Sequence, residues 1–134
     1  MQIPIVFLFV ILLNVCGQSD IPKEIQLNQE FDLRFHDTAL VQTEQLWIQF
    51  STVLEDSRCP KGDQCITQGN ARIELQIRKG KHEATAVQLN TDRGAKEAIY
   101  NSYKIIVIAL NPYPVSGEQI NSSRYVAILL ITTA

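Results

Sequence analysis

The chain has 134 residues, with 12 Lys or Arg against 14 Asp or Glu and a formal net charge of −2. That length is the size of one domain. The two signs of charge are interspersed, which excludes the clustered basic footprint of a nucleic-acid binder and a polybasic membrane patch. Apolar residues reach 46%, enough for a single core, although the N-terminal run inflates the figure.

Within Met1 to Val15 the stretch Ile3 to Leu13 is a nearly unbroken apolar run. It is too short to cross a bilayer, which takes about 20 apolar residues, and it fits a signal-peptide core of about 7–15 residues, although no Lys or Arg precedes it. Leu13-Asn14-Val15-Cys16-Gly17 resembles a bacterial lipobox, in which an aliphatic residue stands three positions before a cysteine that becomes lipidated. Val15 departs from the small residue that the pattern prefers. Ordinary cleavage after Gly17 is the competing reading, and lipidation of Cys16 is favoured over it. Residues 1–16 are thus expected to be a signal peptide with a lipobox, 17–23 a polar tether containing Pro22, and 24–134 the folded domain. The expected location is outside the cytoplasm, held to the cell envelope by an N-terminal lipid in the membrane, facing the periplasm or the cell surface; the unlipidated form would be secreted.

Beyond the tether the pattern is that of strands. Ile25, Leu27, Phe31, Leu33 and Phe35 share one parity, with a turn expected at Asn28-Gln29-Glu30; period-two alternation marks a strand with one buried face. Thr38 to Gln42 reads as a short edge strand. Leu46, Ile48, Phe50 and Leu54 alternate through a long strand ending near Glu55, with Trp47 on the other face. Ala71, Ile73, Leu75 and Ile77 alternate with Arg72, Glu74, Gln76 and Arg78, and Lys79-Gly80-Lys81 turns the chain into Thr85, Val87 and Leu89. This is the clearest hairpin, with Gly80 tolerating a left-handed turn conformation. Asn90 to Ser102 reads as a loop or one weak helical turn around Ala95 to Ile99. Tyr103 to Leu110 and Arg124 to Thr132 are continuous apolar runs, which predict burial on both faces and central positions. Between them, Pro112 and Pro114 end the first run. About seven or eight strands separated by turns predict an all-β, antiparallel β-sandwich, immunoglobulin-like in general architecture, with one short disulfide loop.

The loop Asp56 to Cys65 carries the chemistry worth weighing. With Cys16 in the leader, Cys59 and Cys65 are the one thiol pair of the domain and are expected to form a disulfide. Closing so short a loop contributes about 2–2.5 kcal/mol in the chain-entropy model. The spacing is wrong for a Cys-x-x-Cys redox pair, and a zinc site lacks partners, since His36 and His82 are isolated. Glu55 and Asp56, with loop oxygens such as Asp63, have the oxygen ligands of a Ca²⁺ site, but a like-charged pair at a strand end is more often solvated, so no metal is expected. There is no Gly-x-Ser-x-Gly elbow and no His-Glu-x-x-His. His36 and Asp37, as strand neighbours, point to opposite faces. No catalytic residue, nucleotide-binding loop or small-molecule cofactor is expected, and the aromatics are scattered, with Tyr113 between its two prolines the one expected at the surface. What remains is a stapled loop offering Asp56, Arg58, Lys61 and Asp63 as recognition residues, since a rigid loop binds with less ordering cost. Arg58 is expected to pair with Asp56 or Asp63, and replacing Arg58 or Lys61 by Ala is expected to leave stability near that of the parent.

Asp56-Ser57-Arg58-Cys59-Pro60, then Cys65 and Gly69 before the strand from Ala71, resembles a family of small secreted bacterial proteins and lipoproteins. A Pro-Tyr-Pro corner at Pro112-Tyr113-Pro114, with Tyr103 and Tyr125, is similar to the family's second half. The resemblance spans about Phe31 to Ile131, and Thr67 departs from it where relatives carry an aromatic residue. It implies an exported β-sandwich without assigned activity. The expected role is therefore a non-enzymatic surface or periplasmic binding or structural module of unknown ligand, with another protein as one candidate partner; the alternative is a protease-inhibitor-like protein presenting residues 56–65.

Overall fold

The computed structural model describes residues 21–134; the signal run, Cys16 with its lipidation, and residues 17–20 of the tether lie outside the described residues. Among those described, nine strands form two sheets: β1 Lys23–Glu24, β2 Phe31–Arg34, β3 Thr38–Val41, β4 Leu46–Asp56, β5 Ala71–Lys79, β6 Thr85–Asn90, β7 Glu97–Tyr100, β8 Tyr103–Asn111 and β9 Val126–Thr133. The first sheet has the order β1-β3-β4-β5-β6 and the second β2-β9-β8-β7. All pairs are antiparallel except β1 with β3.

The inner faces meet in one core. Leu46, Ile48, Phe50, Ile73, Leu75, Ile77 and Leu89 of the first sheet pack against Leu33, Ile105, Val107, Leu129 and Ile131 of the second. The alternation seen in the sequence is what places these residues inward, because successive side chains of a strand face opposite ways. The architecture is therefore the antiparallel sandwich that the sequence predicts. Its strand order is its own: β3 to β6 run as a meander, and the second sheet is a meander closed by the β2–β9 pair.

Four details differ from the sequence reading. Leu54 is exposed, because β4 slips register twice against β5, between Phe50 and Thr52 and between Val53 and Glu55. Each bulge inserts one residue, so Val53 takes the inward place opposite Ile73 and Asp56 faces Ala71. Residues 97–100 form a strand rather than a loop or helical turn. Asn101, at φ 50°, closes a tight hairpin in which Tyr100 opposes Tyr103, and Ala98 and Tyr100 rest on the core. The expected edge strand β3 is flanked by β1, so ordered pairing starts at Lys23. Finally, β8 and β9 hold the expected central positions, yet only one face of each is buried, and Ile108 on the other is 45% exposed.

Candidate functional site

The cysteine loop forms one pole of the sandwich, where β4 ends. Ser57 donates its N–H to the Asn70 carbonyl at 2.7 Å, and Cys59 donates to Gln68 at 2.7 Å, so residues 57–59 and 68–70 continue the β4–β5 hairpin beyond the sheet. This pairing requires glycine at position 69. Gly69 adopts φ +76°, and a Cβ there would stand 1.8 Å from the Ser57 carbonyl oxygen. Asn70, 6% exposed, fastens the returning chain: its Nδ2 donates to Asn90 Oδ1 at 2.9 Å, and its Oδ1 accepts the N–H groups of Asp92 and Arg93, both at 3.0 Å.

Asp56 and Arg58 lie beneath this loop rather than on it. Arg58 Nε donates to Asp56 Oδ1 and Nη2 to Asp56 Oδ2, both at 2.8 Å, a two-pronged pair. The remaining guanidinium donors cross to the second sheet, Nη1 to the Leu110 carbonyl at 2.6 Å and Nη2 to the Pro112 carbonyl at 3.1 Å. The Tyr125 hydroxyl donates to Asp56 Oδ2 at 2.7 Å. Arg58 is 5% exposed. Burial by itself raises the Asp56 carboxyl, but the hydrogen bonds from Arg58 and Tyr125, with the Arg58 charge, outweigh it and hold the group below its ordinary value. The Tyr125 phenol is pushed up to about 12, first by burial and then by its bond to Asp56.

Above this latch the loop is braced from the corner after β8. The Cys59–Cys65 disulfide is formed, with Cα atoms 5.9 Å apart. Tyr113 donates its hydroxyl to the Cys59 carbonyl at 2.7 Å, and its ring has the Arg58 guanidinium 5.2 Å from the centroid on the way to the core. Lys61 makes a parallel bridge with Val115: its N–H donates to Pro114 and its carbonyl accepts from Ser116, both at 2.9 Å. The Ser116 hydroxyl donates to Asp63 Oδ1 at 2.5 Å. What the pole shows to solvent is Lys61, Asp63, the fully exposed Ile66, and the part-exposed Tyr113 and Val115.

Of the four loop residues singled out in the sequence, Lys61 and Asp63 are exposed, whereas Asp56 and Arg58 are turned inward and hold the two sheets together. The expectation that Arg58→Ala leaves stability unchanged does not fit this burial. Glu55 and Asp56 point to opposite faces, opposite Arg72 and Ala71, and among the described residues no three or more His, Cys, Asp or Glu gather where they could hold a metal ion. His36 is a turn residue at φ 69°, stacked on Phe35 with ring centroids 3.9 Å apart.

Sequence reasoning missed a second cluster at the other pole. The Tyr103 hydroxyl donates to Glu44 Oε2 at 2.5 Å, and Lys79 Nζ reaches the same hydroxyl at 2.5 Å and Glu44 at 3.5 Å. No spacing rule signals it, since Tyr103 and Glu44 are 59 positions apart. Its Lys79 is raised, chiefly by the bond to Tyr103, which keeps the amine protonated and unsuited to nucleophilic work. Comparison with protein-family models, with curated proteins and with solved structures finds no match to this chain.

Proposed function

We propose that this protein is an exported, lipid-anchored, non-enzymatic binding module that meets a protein partner through its cysteine-loop pole. The observation that carries the reading is a division of labour within one loop. Asp56, Arg58 and Tyr125, the groups with the chemistry to act on a substrate, are all engaged in internal hydrogen bonds. Lys61, Asp63, Ile66, Tyr113 and Val115 form a mixed charged and apolar surface on backbone that is already fixed. Fixed backbone lowers the ordering cost of association, and an aromatic and a fully exposed Ile beside Lys61 and Asp63 suit a protein interface. The resemblance to small bacterial lipoproteins and the lipobox at Cys16 support the anchored location.

The inhibitor reading has less support. A substrate-like inhibitor offers the protease free N–H and carbonyl groups beside its recognition residue, and both backbone groups of Lys61 are taken by residues 114–116.

The test uses the full chain in the cell that exports it. A photo-crosslinking residue at Ile66 is expected to capture one discrete protein, and the same residue at Gln88, on the far sheet face, is expected to capture none. Lys61→Ala combined with Asp63→Ala should abolish the capture. Mass spectrometry of the isolated protein should find Cys16 acylated. Equal labelling at both positions, or a hydrolase activity that co-purifies with the chain, would overturn the reading; inhibition of a protease that Lys61→Ala abolishes would favour the inhibitor instead.

A further inference from the structure

The cysteine-loop pole is held in two ways. Up to Asp63, and again from Gln68, hydrogen bonds fix the backbone: Cys59 N–H to Gln68, Lys61 N–H to Pro114, and Asp63 N–H to the Pro60 carbonyl at 3.1 Å. Between these lie Gln64, Cys65, Ile66 and Thr67. None of the four donates or accepts a backbone hydrogen bond among the described residues, and all four are exposed. The bond that fastens them to the rest of the loop is Cys59–Cys65. Ile66, the most exposed apolar side chain of the pole, stands next to that bond. The fold itself is held elsewhere. The latch of Asp56, Arg58 and Tyr125, the Asn70 anchor and the Lys61–Val115 bridge are noncovalent, and none of them passes through a sulfur. The two cysteines also differ in access, Cys65 being exposed and Cys59 half-buried. Cys59 Sγ lies 3.8 Å from the Pro60 carbonyl oxygen and 3.7 Å from that of Asp63, so a thiol left there finds acceptors already in place.

We propose that this disulfide is a redox clasp on the recognition surface: a protein dithiol opens it, which frees residues 64–67 and leaves the sandwich folded. The proposal rests on the reading of this pole as a binding surface and adds how that surface is switched. The cysteine pair is the target of thiol exchange, not its agent. A thiolate of the dithiol attacks the exposed Cys65 sulfur. The Cys59–Cys65 bond breaks, a mixed disulfide forms on Cys65, and Cys59 leaves as a thiolate that takes a proton from water. The second thiol of the reductant, as its thiolate, attacks the reductant's sulfur in the mixed disulfide and releases Cys65, which is protonated in turn. The chain's disulfide thus gains two electrons and two protons, and the dithiol becomes a disulfide. A protein is the fitting donor, because thiol redox in a bacterial envelope is set by proteins rather than by a small-thiol buffer, and Cys65 sits on a segment exposed at every residue. Once free, the four residues must be ordered again at each encounter, which weakens binding.

The full chain, purified in detergent, tests the clasp under native conditions with a reduced Cys-x-x-Cys protein and, separately, with dithiothreitol. Both should reduce the bond. NMR order parameters of the 64–67 amides should then fall from about 0.85 to below about 0.6, while those of β5 and β8 hold. In the exporting cell, a photo-crosslinking residue at position 66 should capture about tenfold less when Cys59→Ser is combined with Cys65→Ser. Reduction only after unfolding, reduction by dithiothreitol but not by the protein dithiol, order parameters that do not fall at 64–67, or order lost in β5 and β8 as well overturns the clasp. Capture unchanged in the double variant overturns its control of binding. If position 66 captures nothing even with the bond closed, the binding reading fails, and the order parameters still decide the clasp.

Discussion

The two poles of the sandwich are closed by the same three chemical groups in different surroundings. At one end of β4, Asp56, Arg58 and Tyr125 join a carboxylate, a cation and a phenol; at the other end, Glu44, Lys79 and Tyr103 do the same. Both trios tie the first sheet to the second. They differ in solvent and in the cation. The Asp56 and Arg58 side chains are 13% and 3% exposed, whereas those of Glu44 and Lys79 are 37% and 36%. Arg58 has a planar fork that serves the carboxylate and two carbonyls at once; the ammonium of Lys79 is a point charge that water also solvates. The comparison teaches that one triad is a structural latch that cannot be opened piecemeal, and the other a surface contact that the fold can lose.

Arg58→Ala against Lys79→Ala is the sharpest way to break that comparison. Removing the guanidinium leaves the Asp56 carboxylate with the Tyr125 hydroxyl but no cation and takes the Arg58 donors from the Leu110 and Pro112 carbonyls, and a buried charge left without its counter-ion costs about 3–5 kcal/mol. Urea unfolding should show that loss for Arg58→Ala and no resolvable midpoint change for Lys79→Ala, since exposed ion pairs contribute little. Equal midpoints for the two variants would end the distinction. The glycines of the two poles form a second pair. Gly80 has φ +57° with nothing within 4 Å of a new Cβ, while Gly69 would press its Cβ into Ser57. Gly80→Ala should cost about 1 kcal/mol, the left-handed penalty alone. Gly69→Ala should cost about 3 kcal/mol or more, because the clash is with backbone that cannot turn aside. Crosslinking through a residue placed at Ile66 should weaken in the same variant.

Local signals made much of this legible in advance. Alternation along 46–50 and 71–77 assigned the inner face of the first sheet, and the two domain cysteines announced their bond. That Arg58 pairs with an acid of its own loop was also readable, with Asp56 and Asp63 both on offer; the structure takes Asp56. What was not readable is that the pair lies inside the protein. Its burial depends on Leu110, Pro112 and Tyr125, which are 52 to 69 positions distant from their partners. The bulges that turn Leu54 outward leave no mark in a string of apolar residues, and β7 is too short, with too mixed a composition, for its pattern to stand out before β8 supplies its partner. The double-sided apolar runs of β8 and β9 were legible as runs; that one side is left open emerges only when the sheet order is known.

A pH dependence is the last predicted effect, and within the Asp56 latch it runs in opposite directions for the carboxyl and the phenol. The folded Asp56 carboxyl lies below its ordinary value, because its bonds to Arg58 and Tyr125 outweigh the upward push of burial. Its contribution is therefore complete above the unfolded value near 4 and is lost as the pH falls through the folded one. Tyr125 runs the opposite way. Its folded value is raised to about 12, by burial first and then by the bond to Asp56, so its contribution is complete below the unfolded value near 10 and is lost as the pH climbs toward 12, by about 2–3 kcal/mol in all. Urea midpoints measured up to about pH 11 should fall on this alkaline limb. Tyr125→Phe should flatten that part of the limb and cost about 1.5–3 kcal/mol at neutral pH, the value of a hydrogen bond to a charged acceptor. Glu44 is also lowered, chiefly by the bond from Tyr103, but as an exposed group its acid limb should shrink in concentrated salt while that of Asp56 persists. An alkaline limb identical in Tyr125→Phe and the parent would show that the buried phenol keeps no proton that the unfolded chain gives up, and the latch would then be no drier than its exposed counterpart.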